Sequence, residues 1–141
     1  MITVLAFILT LGVLVVIHEY GHYRAALACN VKVLRFSVGF GRVLWSRHLG
    51  RDGTEFVVSA LPLGGYVRML DEGEGPVEPG QAHRAFNRKT LWQRAFVVFA
   101  GPAANLLLAV LLYSAVQWAG VLEPKAVLSA PPASSVAARA G

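Results

Sequence analysis

The chain reads as an α-helical polytopic membrane protein, two transmembrane helices joined by a cytoplasmic or re-entrant β-hairpin segment. Three observations predict this. Hydrophobic residues are 55% of the 141 and charged residues only 15%, against about 25% charged in soluble domains. Two apolar runs, Ile2 to Ile17 and Phe96 to Ala119, approach the roughly 20 residues that a bilayer crossing requires. Charge is also segregated: eleven of the thirteen Lys and Arg fall between Arg24 and Arg94, leaving Lys125 and Arg139 outside. Basic charge confined between two apolar runs marks a cytoplasmic loop by the positive-inside rule. It places both ends of the segment outside an inner (plasma) membrane. A pI near 9.9 is compatible with nucleic-acid binding. No RNP, zinc-finger or basic-helix motif accompanies it, so the lipid bilayer is the expected partner and nucleic acid is not.

Residues 1–28 form the first expected span. It lacks a basic leader and a small-residue cleavage site, so it reads as a span rather than a signal peptide. It ends in His18-Glu19-Tyr20-Gly21-His22, an HExxH pattern. Residues four apart lie on nearly the same helix face, so both imidazoles reach one metal. Glu19 sits beside that face, within reach of an activated water. Zinc accepts neutral imidazole, and a catalytic zinc site keeps one position open. The pattern thus predicts Zn2+ on His18 and His22, with Glu19 as general base. Two interfacial histidines with a chance Glu are the weaker reading. Three ionisable groups within five residues at the end of a span are costly unless they function. Cys29, the only cysteine, reads as a small apolar residue at the helix end. His48 and His83 read as surface side chains.

Residues 29–94 form the expected loop. Lys32 to Val38 is rich in β-branched and aromatic residues, as strands are. Phe36-Ser37-Val38-Gly39-Phe40-Gly41 follows, then Val43-Leu44-Trp45. Arg51-Asp52-Gly53 is a turn signal. Thr54 to Leu61 is apolar again, and Pro62-Leu63-Gly64-Gly65-Tyr66-Val67 closes the stretch. Two arrangements satisfy this pattern: a small subdomain packed on itself in the cytoplasm, or a pair of hairpins dipping into the membrane beside the metal. In the second, a strand edge is available to an extended substrate. Asp71 to Gln81 is rich in Gly, Glu and Pro and reads as a flexible linker. His83 to Arg94 reads as a basic, interfacial approach to the second span.

Residues 95–122 form the second span, which Gly101-Pro102-Ala103-Ala104-Asn105 is expected to interrupt near its cytoplasmic end. Asn105 is either a helix–helix hydrogen bond or a polar group aimed at the metal site. Residues 123–141 form a tail.

HEYGH, FSVGFG, LPLGGYVRML, HRAFNRKTLWQRA and AGPAAN occur in this order. Together they resemble the N-terminal part of the site-2 protease family, in its RseP-like branch. The resemblance covers nearly everything up to Val121. It implies an intramembrane zinc endopeptidase acting on transmembrane proteins such as anti-sigma factors in regulated intramembrane proteolysis. His18 and His22 are then metal ligands and Glu19 the base. Gly39, Phe40 and Gly41 belong to a re-entrant β-hairpin that holds substrate extended, with Asn105 a further substrate contact. The family's third zinc ligand is an Asp in a Leu-Asp-Gly motif on a later helix. Leu70-Asp71 does not match it, because Glu72 follows. Pro124 to Gly141 resembles the incomplete start of a PDZ domain. The segment is thus expected to be the N-terminal part of a longer enzyme. The alternative is a non-catalytic membrane module that binds a partner or a metal without turnover.

Overall fold

A computed structural model describes residues 1–50 and 52–120. Helix α1 (Ile2–Ala28) is followed by strands β1 (Val33–Leu49) and β2 (Thr54–Met69), then 3-10 turns at Pro79–Arg84 and Phe86–Arg88. Helix α2 (Leu91–Ala119) comes last. Two compact units divide the chain, Met1–Leu111 and Leu112–Gly141. The described part of the second is the last turns of α2, where Gln117 Nε2 donates to the Tyr113 hydroxyl at 3.3 Å. The expected PDZ start, residues 123–141, lies outside the described residues.

Both helices are long and apolar enough to cross a membrane. Their side chains are mostly bare along the shaft: Leu9 is 68% exposed and Leu106 66%. Apolar surface on this scale calls for a hydrocarbon or protein cover. Helix α1 contains no proline. It ends where the Cys29 N–H bonds the Ala25 carbonyl at 3.0 Å and Asn30 takes a left-handed φ of 52°. Asn is among the few residues that tolerate this region. Helix α2 starts at Leu91, four residues before the expected boundary. Thr90 and Gln93 form a reciprocal cap, with Thr90 N donating to Gln93 Oε1 at 3.1 Å and Gln93 N to Thr90 Oγ1 at 3.3 Å. This is the capping-box pattern. Pro102 does not interrupt α2, contrary to expectation; the helix runs on to Ala119. Proline removes one N–H donor, and a single lost bond does not end a helix of this length.

β1 and β2 pair antiparallel in a two-stranded sheet. The ribbon is bent. Arg35 to Val38 pair with Gly65 to Arg68 (Val38 with Gly65, Arg35 with Arg68) and also with Glu55 to Val58 (Arg35 with Glu55, Val38 with Val58). The outer half of β1 pairs with the same part of β2, Trp45 with Val58 and Leu49 with Thr54. A straight 17-residue strand would run about 55 Å. Folding back shortens it. Gly39 (φ 87°) and Gly41 (φ 83°) make the bend in β1, and a side chain at Gly39 would meet the Leu61 and Ser59 carbonyls at 2.8 and 2.9 Å. The expected hairpins are therefore one folded ribbon, with the turn at Gly50 to Gly53 where the sequence placed it.

Ala25, Ala26, Val31, Val33 and Val97 form the buried core, covered by Tyr23, Leu27, Cys29, Val67, Met69 and Phe86. Cys29 joins it as expected of a small apolar residue. Tyr23, Phe36 and Phe56 pack edge-on or tilted with centroids 5.4–5.7 Å apart. His48 and His83 are exposed. The segment read as a flexible linker is tied to its surroundings. Glu72 accepts from Arg88 and Asn87, Glu74 from Arg68, and Gln81 from Lys32. Arg84 makes a two-pronged pair with Asp52 at 2.6 and 2.7 Å, fixing the 3-10 segment to the hairpin turn.

Candidate metal centre

One face of α1 meets one face of α2 at the core end of the molecule. Val97, Gly101 and Asn105 recur every four residues on α2 and so share a face. The contact is close because small residues line it. A Cβ at Gly21 would meet the Ala100 carbonyl and, at 2.9 Å, the Ala104 methyl; a Cβ at Gly101 would meet the His22 ring.

This approach places the histidines. His22 Nδ1 lies 2.7 Å from the Val97 carbonyl. A carbonyl only accepts, so Nδ1 carries a proton, and in the neutral ring Nε2 then holds the lone pair. His22 Nε2 lies 3.2 Å from His18 Nε2. His18 Nδ1 lies 3.4 Å from Asn105 Nδ2. The two Nε2 atoms thus face each other, and each Nδ1 faces a polar group of α2.

The spacing suits a zinc ion. Nitrogens about 2.0–2.1 Å from a tetrahedral zinc would lie about 3.3 Å apart, close to the 3.2 Å observed. Among the described residues no group of three or more His, Cys, Asp or Glu gathers around one point.

Two clefts open on this pair. A groove of about 520 Å³ is lined by His18, Glu19, Asn105, Phe40, Leu63, Gly64 and Gly65, together with Leu11, Leu14 and Val15. A second cleft of about 390 Å³ runs from Glu19 and His22 past Met69 and Phe86 to Asp71 and Glu74. Glu19 borders both. β2 closes on it: a Cβ at Gly65 would stand 3.0 Å from Glu19 Cγ.

Residues 6–137 match the model of peptidase family M50. The chain belongs to this family, the site-2 proteases, on its RseP-like side. A protein of Ralstonia nicotianae named as a zinc metalloprotease is 49% identical over 148 residues, 99% of this chain and 32% of the relative. One of Pasteurella multocida with the same designation is 50% identical over 135 residues, 96% of this chain and 30% of the relative. The regulator of sigma-E protease RseP of Salmonella typhimurium is 48% identical over 135 residues, again 96% and 30%. The chain spans about a third of the length of these relatives. Family membership and the two apolar helices make it a membrane protein.

Within this M50 segment the expected site residues fall into two groups. His18, Glu19, His22 and Asn105 come together, and Asn105 makes the helix–helix contact by reaching His18. Phe40 lines the groove, stacked on Tyr66 at 6.3 Å between centroids. Gly39 and Gly41 do not line it; they shape the bend that brings Phe40 there. Asp71, no match for the family's Leu-Asp-Gly, lies on the second cleft and accepts from the Gly73 N–H at 2.8 Å. Sequence reasoning missed Val97, Gly101 and the Gly64-Gly65 pair. A backbone carbonyl leaves no trace in sequence. The glycines did carry a signal, since each sits where a side chain would strike the site.

Proposed function

We propose that this chain is the N-terminal catalytic part of an intramembrane zinc metalloendopeptidase that cleaves single-span membrane proteins, such as membrane-anchored anti-sigma factors, in regulated intramembrane proteolysis. The observation that carries this is the pair of imidazole Nε2 atoms 3.2 Å apart at the end of an apolar helix, with Glu19 between two clefts.

His18 and His22 would hold the zinc, and a further ligand would come from an Asp on a later helix, as the family resemblance implies. Bound zinc would lower the pKa of water to about 7 and polarise a carbonyl. Glu19 takes a proton from the attacking water and delivers it to the amide nitrogen as the C–N bond breaks. The water oxygen stays on the carbonyl carbon as the new carboxylate. The 520 Å³ groove takes the substrate strand, with Phe40 and Leu63 as its apolar wall and Gly64-Gly65 allowing close backbone approach. Gly39 and Gly41 contribute by shaping that wall.

The basic loop lies in the cytoplasm and both ends of the segment lie outside the inner membrane. Phe40, Leu44, Trp45, Leu61 and Leu63 of the ribbon are all exposed, which favours the hairpin that dips into the membrane over one packed on itself.

The test is cleavage of a single-span model substrate by the full-length protein in proteoliposomes, with the cut mapped by mass spectrometry. The expected cut lies within or at the edge of the span, stops on chelation and returns with zinc. A zinc-loaded protein that binds such substrates and never cuts them would contradict the protease reading and favour the non-catalytic module.

A further inference from the structure

The polar end of Asn105 is the one part of the site that the proposed chemistry does not use. Its Nδ2 lies 3.4 Å from His18 Nδ1. Its Oδ1 is buried and has no hydrogen-bond partner. An unmet buried amide oxygen costs about 1–3 kcal/mol, so its position calls for an explanation.

We propose that Asn105 is a positioning residue which fixes the metal-binding tautomer of His18, by presenting Oδ1 rather than Nδ2 to the His18 Nδ1–H. The inference rests on the zinc reading above. His22 is already set, because its Nδ1–H must donate to the Val97 carbonyl and its Nε2 lone pair is free. His18 has a choice. With Asn105 Nδ2 facing it, Nδ1 must accept, so the proton sits on His18 Nε2 and points at His22 Nε2, 3.2 Å away. The two would-be ligand nitrogens then satisfy each other and neither faces a metal. A metal on His18 Nε2 requires the proton on Nδ1, and an Nδ1–H needs an acceptor. Ligating histidines almost always have one. Asn105 supplies it if the amide turns over, exchanging O and N in nearly the same volume. The orphaned oxygen gains a donor, and Nδ2 takes its former place. One amide end lacks a protein partner in either orientation, so the turn itself is nearly neutral. The metal selects between the two.

The consequence is a division of labour on α2. A backbone carbonyl orients one ligand irrevocably, while a side-chain amide orients the other and is open to substitution. The decisive comparison is among Asn105, Asn105→Asp and Asn105→Leu in the full-length protein. Asp has nearly the same shape and only accepts; Leu has a similar volume and does neither. Zinc affinity is read by chelator competition, and folding of the metal-free protein by thermal unfolding. Loss of an orienting partner typically costs 10- to 100-fold in metal affinity. Leu is expected to fall by that factor, and Asp to bind at least as tightly as Asn105. A Leu variant with unchanged affinity would overturn the proposal. So would an Asp variant that loses affinity tenfold, since the amide N–H would then be the group that matters. If the Leu protein does not fold, the Asp comparison decides alone. A parent protein that binds no zinc would instead remove the metal reading on which this one rests.

Discussion

Replacing Gly101 by alanine should displace one metal ligand without touching it chemically. A Cβ at this position would lie 2.6 Å from His22 Cε1 and 2.8 Å from Cδ2, with Nε2 nearer still. Unbonded carbons rest about 3.5–4.0 Å apart, so the ring must retreat by about 1 Å. It has little room to do so, because the Val97 carbonyl holds Nδ1 at 2.7 Å. Metal–ligand distances tolerate only about 0.2 Å. The retreat therefore takes Nε2 out of its relation to His18. Overpacking adds about 1–3 kcal/mol of destabilisation. Intrinsic helix propensity works the other way, favouring Ala over Gly by about 1 kcal/mol, so a loss cannot come from the helix itself. Gly12 is the internal control, since a Cβ there meets nothing within 4 Å. Zinc affinity by chelator competition and thermal unfolding should be measured for both variants in the full-length protein. Gly101→Ala is expected to lose at least tenfold in zinc affinity, and Gly12→Ala to match the parent or gain slightly in stability. Full zinc affinity in Gly101→Ala would refute the close packing of α2 on the His22 ring.

Three further outcomes follow from the same geometry. Gly65→Ala would put a methyl 2.7 Å from the Ser37 carbonyl and 3.2 Å from Val15 Cγ1; it should cost about 1–3 kcal/mol and lower cleavage more than zinc content, which parallel metal and activity assays would read. Arg84 holds the Asp52 carboxyl below the usual carboxylate range, chiefly through their hydrogen bonds. The folded pKa lies below the unfolded value of about 4, so this pair stabilises the hairpin turn above that pH and the contribution is lost as pH falls through the lowered value; Asp52→Asn should abolish that part of the pH dependence in thermal unfolding, and an unchanged acid limb would contradict it. A cysteine placed at His83 should be labelled only from the cytoplasmic side, and labelling from outside would overturn the topology.

Much of the site was legible because HExxH states its geometry locally: four residues on a helix fix two imidazoles whatever the rest does. The helices were legible from hydropathy, and the turn at Gly50 to Gly53 from its composition. Three features were not. The ribbon's folding back depends on Gly39 and Gly41 taking positive φ, which composition permits and does not require. The cap of α2 stands in the sequence as Thr90-Leu91-Trp92-Gln93, within a stretch whose polar and basic residues mask it. The ordering of Asp71 to Gln81 comes from Arg68, six residues from its partner Glu74, and from Arg88 and Lys32, whose partners lie farther off in sequence. Of the two readings of Asn105, the helix–helix bond is the one the fold carries, and its partner across the helices is His18.

The most direct measurement of the central claim is zinc content and peptide hydrolysis read in parallel on the full-length protein and its Glu19→Gln, His18→Ala and His22→Ala variants, using a single-span substrate. Glu19→Gln should keep its zinc and lose about 10² to 10⁴ or more in rate, the contribution of a general base. The two His variants should lose metal and activity together. Near-normal cleavage by Glu19→Gln, or undiminished zinc in either His variant, would contradict the account.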